Sequence, residues 1–224
     1  MQTGETDIAA NDVLGTINFQ APDEGAGTDA VLVASTIKAF AEGDFSSSNN
    51  ATTLELATGR SAAAGSDGGR LRLTSAGVLE LKSQNTADGS KPVFHLQAGD
   101  TDIAQDDILG GIFFQAPDEA TGTDAVLVAA GIEAVSEGDF SSSSNATSLV
   151  FKTGASEAAA AKMKLTSAGV LEVLSGGIDV EGGAVFNEDS ADQDFRVESN
   201  GNTHMLFVDG GNDRVGIGTN SPDS

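Results

Sequence analysis

Apolar and polar residues alternate with a period of two along much of the chain. Val13, Ile17 and Phe19 share one side of an extended segment, and polar residues occupy the other side. This pattern predicts a half-buried β-strand, which ends before Pro22 because proline cannot donate a hydrogen bond to a ladder. The same pattern predicts strands at residues 30–34, 53–57 and 70–73, and leaves residues 36–41 undecided between strand and helix.

A hairpin is predicted at the end of this pattern. Leu71 and Leu73 would face Leu79 and Leu81 across a short loop, TSAG, in which Gly77 can adopt a positive φ. The alternation continues through both halves of the hairpin, so we expect one side of it to be apolar.

The chain contains an internal repeat. Residues 1–59 align without gaps on residues 96–154, with 39 identities in 59 positions. After a length difference of three residues, the eight residues LTSAGVLE recur at 73–80 and 165–172. A one-residue slip in strand register would reverse the faces of a sheet, so the two repeats should share one fold.

Equivalent residues of the two repeats should therefore have equivalent burial. Ile17 and Phe19 are expected to point inward, as are Ile112 and Phe114. The acidic pairs Asp23-Glu24 and Asp118-Glu119 are expected at the surface.

We divide the chain into four segments. They are β repeat 1 (residues 1–82), a connector with a leading strand at 92–95 (residues 83–95), β repeat 2 (residues 96–175) and a distal glycine-punctuated β module (residues 176–224). The strands predicted in the distal module are residues 177–180, 184–187, 194–199, 203–209 and 214–219.

Two further local predictions concern turns and loops. Asn200-Gly201 indicates a two-residue type I′ turn, which needs positive φ at both central residues. Residues 60–69 and their counterpart 155–164 are interpreted as loops, with a helical turn possible in the alanine-rich second one.

The composition excludes several classes of function. The formal net charge is -23, from 34 acidic and 11 basic residues, and the chain has no Cys, Trp or Tyr. A disulfide scaffold and a cysteine-based zinc site or nucleophile are therefore excluded. Nucleic-acid binding is not expected, because it needs clustered Lys and Arg. Membrane insertion is not expected either, because no apolar run approaches the roughly 20 residues of a span.

Large apolar residues are sparse. Val, Leu, Ile, Phe and Met together account for 55 of the 224 residues. Thin sheets built from so few large side chains bury little area unless another sheet covers them. Self-association with identical chains would supply that cover, whereas the alternative is a monomeric repeat protein with small cores.

The repeated sequence resembles a known family. The unit TDIA-(N/Q)D-(V/I)-LG-x-I-x-FQAPDE-x-x-GTDAVLVA, closed by LTSAGVLEV or its near copy, resembles repeats in tail fibres of tailed bacteriophages, especially marine cyanobacterial phages. Residues 195–222, with VGIGT-x-SP at 215–222, resemble the segment before the C-terminal intramolecular chaperone of such fibres.

The resemblance implies both a fold and a function. The fold would be all-β, with tandem β-sandwich-like repeats in an elongated, intertwined homotrimeric fibre and a distal module like a β-prism or β-helix. The chain would be a virion structural protein, a shaft or spacer that supports host attachment. Its partners would be identical chains, other virion proteins and a host cell-surface receptor. The alternatives are a bacterial surface adhesin or extracellular filament subunit and, less favoured, a glycan-degrading spike.

Candidate chemistry is weak throughout the sequence, so we expect no enzyme, no catalytic or metal site and no cofactor. His95 and His204 are the only histidines. Gly216-Ile217-Gly218 is part of a dinucleotide fingerprint without the following helix. Residues 209–213 (DGGND) and 187–194 (NEDSADQD) are interpreted as a β-turn and a solvated acidic loop rather than as calcium sites. Asn50 and Asn145 begin glycosylation-type motifs without expected meaning.

Overall fold

A computed structural model describes residues 3–22, 29–117, 123–186 and 192–222. In this part of the chain, thirteen strands form three antiparallel sheets, and the single helical element is a short 3-10 turn. The chain divides into two units, residues 1–97 and 98–224. The all-β prediction is confirmed.

Repeat 1 forms one five-stranded meander within the first unit, because each strand pairs with the next strand along the chain. The strand order is β1-β2-β3-β4-β5. The strands are β1 (Val13–Phe19), β2 (Ser35–Ala41), β3 (Thr52–Thr58), β4 (Gly69–Leu73) and β5 (Leu79–Ser83).

The strand predicted at residues 30–34 is wrong. Asp29–Val31 forms a 3-10 turn instead, and the undecided residues 36–41 belong to β2. The backbone of this region bonds locally, since Leu32 donates to the Asp29 carbonyl and the Gln20 side chain donates to the Val31 carbonyl. These bonds replace the ladder that a strand would need.

Repeat 2 forms the same meander in the second unit, and the prediction of a shared fold is confirmed. Its strand order is β10-β9-β8-β7-β6, and the irregularity between Val13 and Gly15 recurs between Ile108 and Gly110. The strands are β6 (Ile108–Gln115), β7 (Val128–Ser136), β8 (Thr147–Thr153), β9 (Ala160–Leu165) and β10 (Leu171–Val173).

The loop interpretation of residues 155–164 is wrong in its second half. Residues from Ala160 onward form β9, in which Ala161 pairs with Lys152 and Met163 pairs with Phe151. Cross-strand pairing therefore overrides the helix propensity of the alanine-rich segment.

Each repeat contributes one sheet, not two packed sheets. The second layer of the sandwich-like arrangement is therefore not supplied by strands of the same repeat. Any such layer has to come from another sheet.

The distal module is a three-stranded sheet in the order β11-β12-β13. Its strands are β11 (Phe195–Val197), β12 (Leu206–Asp209) and β13 (Arg214–Ile217). The strands predicted at 177–180 and 184–187 are not formed by the described residues there, and Asn187 lies outside the described part. Residues 177–186 enter none of the three sheets, and the side chain of Ile178 is 77% exposed.

The type I′ turn predicted at Asn200-Gly201 is wrong in its type. Ser199 donates a hydrogen bond to the Asn202 carbonyl, so the chain does turn here, but neither Asn200 nor Gly201 has a positive φ. The ladder resumes only where Val197 pairs with Leu206. The Asn202 side chain accepts a hydrogen bond from the backbone of the second residue after it, which adds a local turn to the connection.

The leading strand predicted at residues 92–95 is also not formed. The chain there lies outside all three sheets, and Val93 and Phe94 are well exposed. Pro92 has no N–H group to donate to a ladder, which weakens the segment as a strand.

Candidate assembly surface

The strand register of repeat 1 aligns apolar side chains in rows that cross the sheet. Ile17 pairs with Ile37, which pairs with Leu56. Leu56 pairs with Leu71, and Leu71 pairs with Leu81. Cross-strand partners project from the same side of a sheet, so these five residues form one apolar row, which we call the isoleucine row.

A second row, the glycine row, lies beside the first on the same face. It runs from Gly15 through Ala39 and Leu54 to Leu73 and Leu79. The two rows together cover this side of all five strands without a charged residue. We call this side of each repeat the apolar face and the opposite side the polar face.

Repeat 2 has both rows at equivalent positions. Its glycine row is Gly110, Ala134, Leu149, Leu165 and Leu171, and its isoleucine row is Ile112, Ile132, Phe151, Met163 and Val173.

The apolar faces are uncovered in the single chain. Ile17 and Ile112 are 45% and 49% exposed, and Leu79 and Leu171 are 64% and 60% exposed. The prediction of equivalent burial is confirmed for Ile17 with Ile112 and for Phe19 with Phe114, but the prediction that these four residues point into a core is wrong for one chain. The reason is that the described residues of each repeat form a single sheet, with no second sheet over this face.

The centre of the polar face of repeat 1 is buried instead. Glu55 is 5% exposed, and its Oε2 atom lies 2.7 Å from Nε of Arg72 and 3.6 Å from Nε of Arg70. The Arg72 guanidinium lies 4.9 Å from the centre of the Phe40 ring, within the range of a cation–π contact. A buried carboxylate is thus paired, as its burial requires.

A loop covers this cluster. Residues 59–68 fold back over the polar face, and the N–H groups of Gly59 and Ala64 donate to the carbonyls of Ala34 and Val33, both at 2.8 Å. A β-carbon on Gly65 would lie 3.7 Å from Cβ of Ala57. The loop therefore lies in van der Waals contact with the centre of the face.

Repeat 2 buries a different ion pair on its polar face. Lys152 donates to both carboxylate oxygens of Glu133 at 3.1 Å, and Glu133 is 5% exposed. The Phe113 ring lies over Gly131, where an added β-carbon would come within 2.9 Å of it. The buried carboxylate has moved from the third strand of the meander to the second.

A second carboxylate has the same role in both repeats. Glu42 accepts hydrogen bonds from the Ser75 N–H, the Ser75 hydroxyl and the Thr53 hydroxyl at 2.9, 2.5 and 2.7 Å. Glu137 accepts the equivalent bonds from Ser167 and Ser148. Each glutamate thereby joins the β-hairpin loop of its repeat to the first residues of the central strand.

These bonds lower the pKa of both carboxyl groups, since they favour the ionised form. The Ser75 hydroxyl is the largest cause for Glu42. The Ser148 hydroxyl, followed by the two Ser167 donors, holds the pKa of Glu137 at about 2. Alternation alone did not predict a role for these residues, although Glu42 and Ser75 both lie in segments that the two repeats share.

The two histidines lie in different units of the chain. His95 lies in the extended segment of the first unit. His204 lies in the second unit, with Nδ1 2.9 Å from the hydroxyl of its neighbour Thr203 and its ring edge-on to Phe207 at 5.3 Å. The hydroxyl and the ring belong to consecutive residues of one turn.

Residues 209–213 form a turn, as interpreted. Asp209 pairs with Arg214 across it and accepts a hydrogen bond from the Asn212 N–H at 2.9 Å, while Asp213 has φ 54°. The Asn212 side-chain donor is the largest cause of the lowered pKa of Asp209. Across the described ranges, no group of three or more His, Asp or Glu side chains is placed to hold a metal ion.

The other candidates are dispersed. Asn50 and Asn145 are exposed in equivalent loops, Gly216 lies in β13, and Gly218 has φ 74°. Asp192 and Asp194 are described, and Asp194 accepts a hydrogen bond from Gly210 at 3.1 Å. The rest of the acidic segment, residues 187–191, lies outside the described residues, as do Asp23-Glu24 and Asp118-Glu119.

The described part of the chain contains no helix with the length and apolar character of a membrane span.

Comparisons with known proteins give weak similarities. No family model matches the chain, and no curated protein matches it. The carboxy-terminal domain of the bacteriophage T5 L-shaped tail fibre with its intramolecular chaperone domain is 14% identical, with a TM-score of 0.31, over 89% of this chain and 68% of that one. A second structure of that carboxy-terminal domain is also 14% identical with a TM-score of 0.31, over 84% of this chain and 92% of that one.

Proposed function

We propose that this chain is a virion structural protein, a shaft or spacer segment of a bacteriophage fibre, in which three identical copies cover one another's apolar sheet faces. The observation that carries the proposal is the inversion of both repeats: the centre of the polar face is buried and the apolar face is exposed. The resemblance of the repeated text to phage fibres supplies the number of copies and the kind of particle.

The size of the exposed faces supports self-association. Five strands at about 4.8 Å spacing and about six residues at 3.3 Å rise give each face about 500 Å² of projected area. One such patch equals the largest on an ordinary monomer, and each chain has two. Together they reach the roughly 800 Å² per partner that a specific interface buries.

Unpaired backbone supports the same proposal. Residues 92–96 and 177–186 lie outside all three sheets, and they carry exposed apolar side chains, including Val93, Phe94 and Ile178. Extended segments with unpaired N–H and carbonyl groups are templates for strands of another chain. The copies in the fibre would therefore be intertwined.

The remaining parts of the proposal follow from the fibre role. Other virion proteins would bind at its ends, and host attachment would depend on the fibre's reach, with no catalytic step and no cofactor in this chain.

Sedimentation equilibrium at micromolar concentration tests self-association. We expect three times the chain mass of 22.5 kDa. Leu56→Lys combined with Phe151→Lys places a charge on each apolar face and should give a monomer. Asn18→Lys, on the exposed edge of the polar face, is the matched control and should leave the trimer intact. A compact wild-type monomer would contradict the proposal.

A spacer role has a separate test. A chain that lacks residues 96–175 keeps one apolar face, so it should still form trimers, at a higher concentration than the full chain, and electron microscopy should show a rod shorter by one repeat. Loss of trimer assembly in this shorter chain would contradict the spacer role, because a passive segment is dispensable for assembly.

A further inference from the structure

The glycine row is graded in side-chain size, and the gradient is the same in both repeats. From the first strand to the fifth it reads Gly, Ala, Leu, Leu, Leu in repeat 1. It reads Gly, Ala, Leu, Leu, Leu in repeat 2 as well. The neighbouring isoleucine row has no such gradient, since every position in it is large.

A graded row makes an uneven surface. Side chains stand roughly perpendicular to a sheet, so glycine and alanine leave a depression over the first two strands. Leucines make a ridge over the last three, and the outermost, Leu79 and Leu171, are the most exposed of the apolar face at 64% and 60%. The depression and the ridge belong to the same row of the same sheet.

We infer that the leucine end of the glycine row in one copy packs against the glycine–alanine end in the next copy. This inference rests on the proposed self-association and specifies its contact. Leu79 of one copy would contact Ala39 and Gly15 of the next, and Leu171 would contact Ala134 and Gly110. Each copy then uses two different ends of one row, which is the head-to-tail contact that closes into a ring.

Close packing favours this arrangement over contact between like ends. Two leucine ends facing each other would overfill their contact, whereas two glycine–alanine ends would leave a void above the small residues. Interiors and interfaces are packed to the density of organic crystals, and both faults weaken association. Placing the ridge in the depression avoids both.

The occupant is a second copy because the face is uncharged and self-complementary. The chain carries a formal charge of -23, and two copies meeting through an uncharged face keep their acidic residues away from the contact. The two repeats offer two such contacts per chain, so one geometry satisfies both.

A double-mutant cycle tests the contact. Ala39→Leu with Ala134→Leu fills the depression, and Leu79→Ala with Leu171→Ala removes the ridge. Each pair of changes alone should raise the concentration at which the trimer dissociates by about tenfold or more, which is about a hundredfold change in the trimer dissociation constant, or about 2.7 kcal/mol. All four together should return it to within about threefold of wild type, because the exchanged side chains meet again.

The rescue is informative because the two positions are apart within one chain. Ala39 is on β2 and Leu79 on β5, about 14 Å away at three strand spacings. Substitutions at more than 7–10 Å normally add without coupling. Coupling between them therefore reports a contact between copies.

The matched control joins Ala39→Leu and Ala134→Leu with Leu54→Ala and Leu149→Ala. It changes the side-chain volume by the same amount. Leu54, however, is the cross-strand neighbour of Ala39 within one sheet. We expect it not to restore assembly. Equal rescue by both combinations, or no rescue by the distant one, would overturn the inference while leaving self-association intact.

Two further readouts separate the remaining outcomes. Far-UV circular dichroism of each variant checks that the sheets form, and Ala39→Val with Leu79→Val tests the same contact through smaller changes if the leucine variant does not fold. A wild-type chain that is monomeric at every concentration would overturn the inference together with the proposed function.

Discussion

The two repeats have identical glycine rows on their exposed faces but different ion pairs on their polar faces. The glycine rows are identical, whereas the buried carboxylate is Glu55 with two arginines in repeat 1 and Glu133 with Lys152 in repeat 2. The proposed contact between copies would use this match, because each repeat presents the same depression and the same ridge.

Loop length explains why the buried faces differ. Ten residues join β3 to β4 in repeat 1, where Gly65 lies over Ala57. The equivalent connection in repeat 2 runs only from 154 to 159, and Lys152 occupies the position of Ala57. A longer loop needs a small residue beneath it, and a shorter loop leaves room for a lysine. In each repeat, the size of the residue beneath the loop therefore matches the length of the loop.

The largest loss of stability is expected when the lysine of repeat 2 is placed at the equivalent position of repeat 1. Ala57→Lys places a charged side chain under the loop, where Ala57 is 3% exposed. We expect the free energy of unfolding to fall by about 3 kcal/mol, from overpacking and charge burial. Urea denaturation measures it, and Asn18→Lys on the exposed edge of the same face should change stability by less than about 0.5 kcal/mol. An unchanged midpoint for Ala57→Lys would contradict the loop argument.

The two buried carboxylates should differ in the cost of their removal. Glu55→Ala leaves Arg70 and Arg72 without their shared partner and should cost about 2–3 kcal/mol. Glu133→Ala should cost about 1–2 kcal/mol, because the single Lys152 can extend its head group to water.

The control for this pair is Glu172→Ala. Glu172 lies 3.2 Å from Lys164 in an exposed ion pair, which should contribute less than about 1 kcal/mol. Thermal and urea unfolding of all three variants would show the order. Equal costs for Glu55 and Glu172 would mean that burial of the first ion pair contributes nothing.

Much of the meander was predictable because local pattern and pairing agree in it. Alternation predicts β1, β3 and β4, and the TSAG loop predicts the hairpin that pairs Leu73 with Leu79. The failures occur where a residue's local preference lost to longer-range pairing, as at Ala161, or where backbone groups bonded within a turn, as at Asp29.

The surface was harder to predict than the strands. Alternation identifies which side chains share a face, but it does not say whether that face is covered. From the pattern alone, Ile17 would be a core residue and Glu55 a solvent-facing one, whereas Ile17 is exposed and Glu55 is buried. Assigning inside and outside requires the position of the loop over residues 55–57, which depends on contacts distant in sequence.

Glu42 and Glu137, which join the hairpin loop of each repeat to its central strand, should make the stability of both repeats depend on pH. The pKa of Glu137 falls from 4.5 to about 2 in the folded chain, and that of Glu42 is also lowered. The contribution of Glu137 is therefore fully present above pH 4.5 and is lost as the pH falls through about 2, and that of Glu42 is likewise lost below pH 4.5. Melting temperature measured from pH 6 to pH 2 should decline, and Glu42→Gln with Glu137→Gln should flatten that decline.

The double glutamine variant could instead keep the pH dependence of the wild-type chain. Lowered stability with an unchanged pH dependence in the double glutamine variant would assign the acid sensitivity to other carboxylates, such as Asp67, whose pKa the N–H groups of Ser61 and Arg60 lower.

The smallest expected loss of stability comes from substitutions in the two hairpin loops, and it tests directly whether the repeats are equivalent. Gly77 and Gly169 occupy the same loop position with φ 77° and φ 80°, and neither would place a β-carbon within 4 Å of another group. Substitution by alanine therefore adds backbone strain without a clash, and we expect Gly77→Ala and Gly169→Ala each to cost about 1 kcal/mol. Gly138→Ala is the control, because Gly138 has open space and no positive φ, and it should change stability by a few tenths of a kcal/mol at most. Unequal costs at Gly77 and Gly169 would show that the two hairpins are held differently, for instance because one of them contacts a neighbouring copy and the other does not.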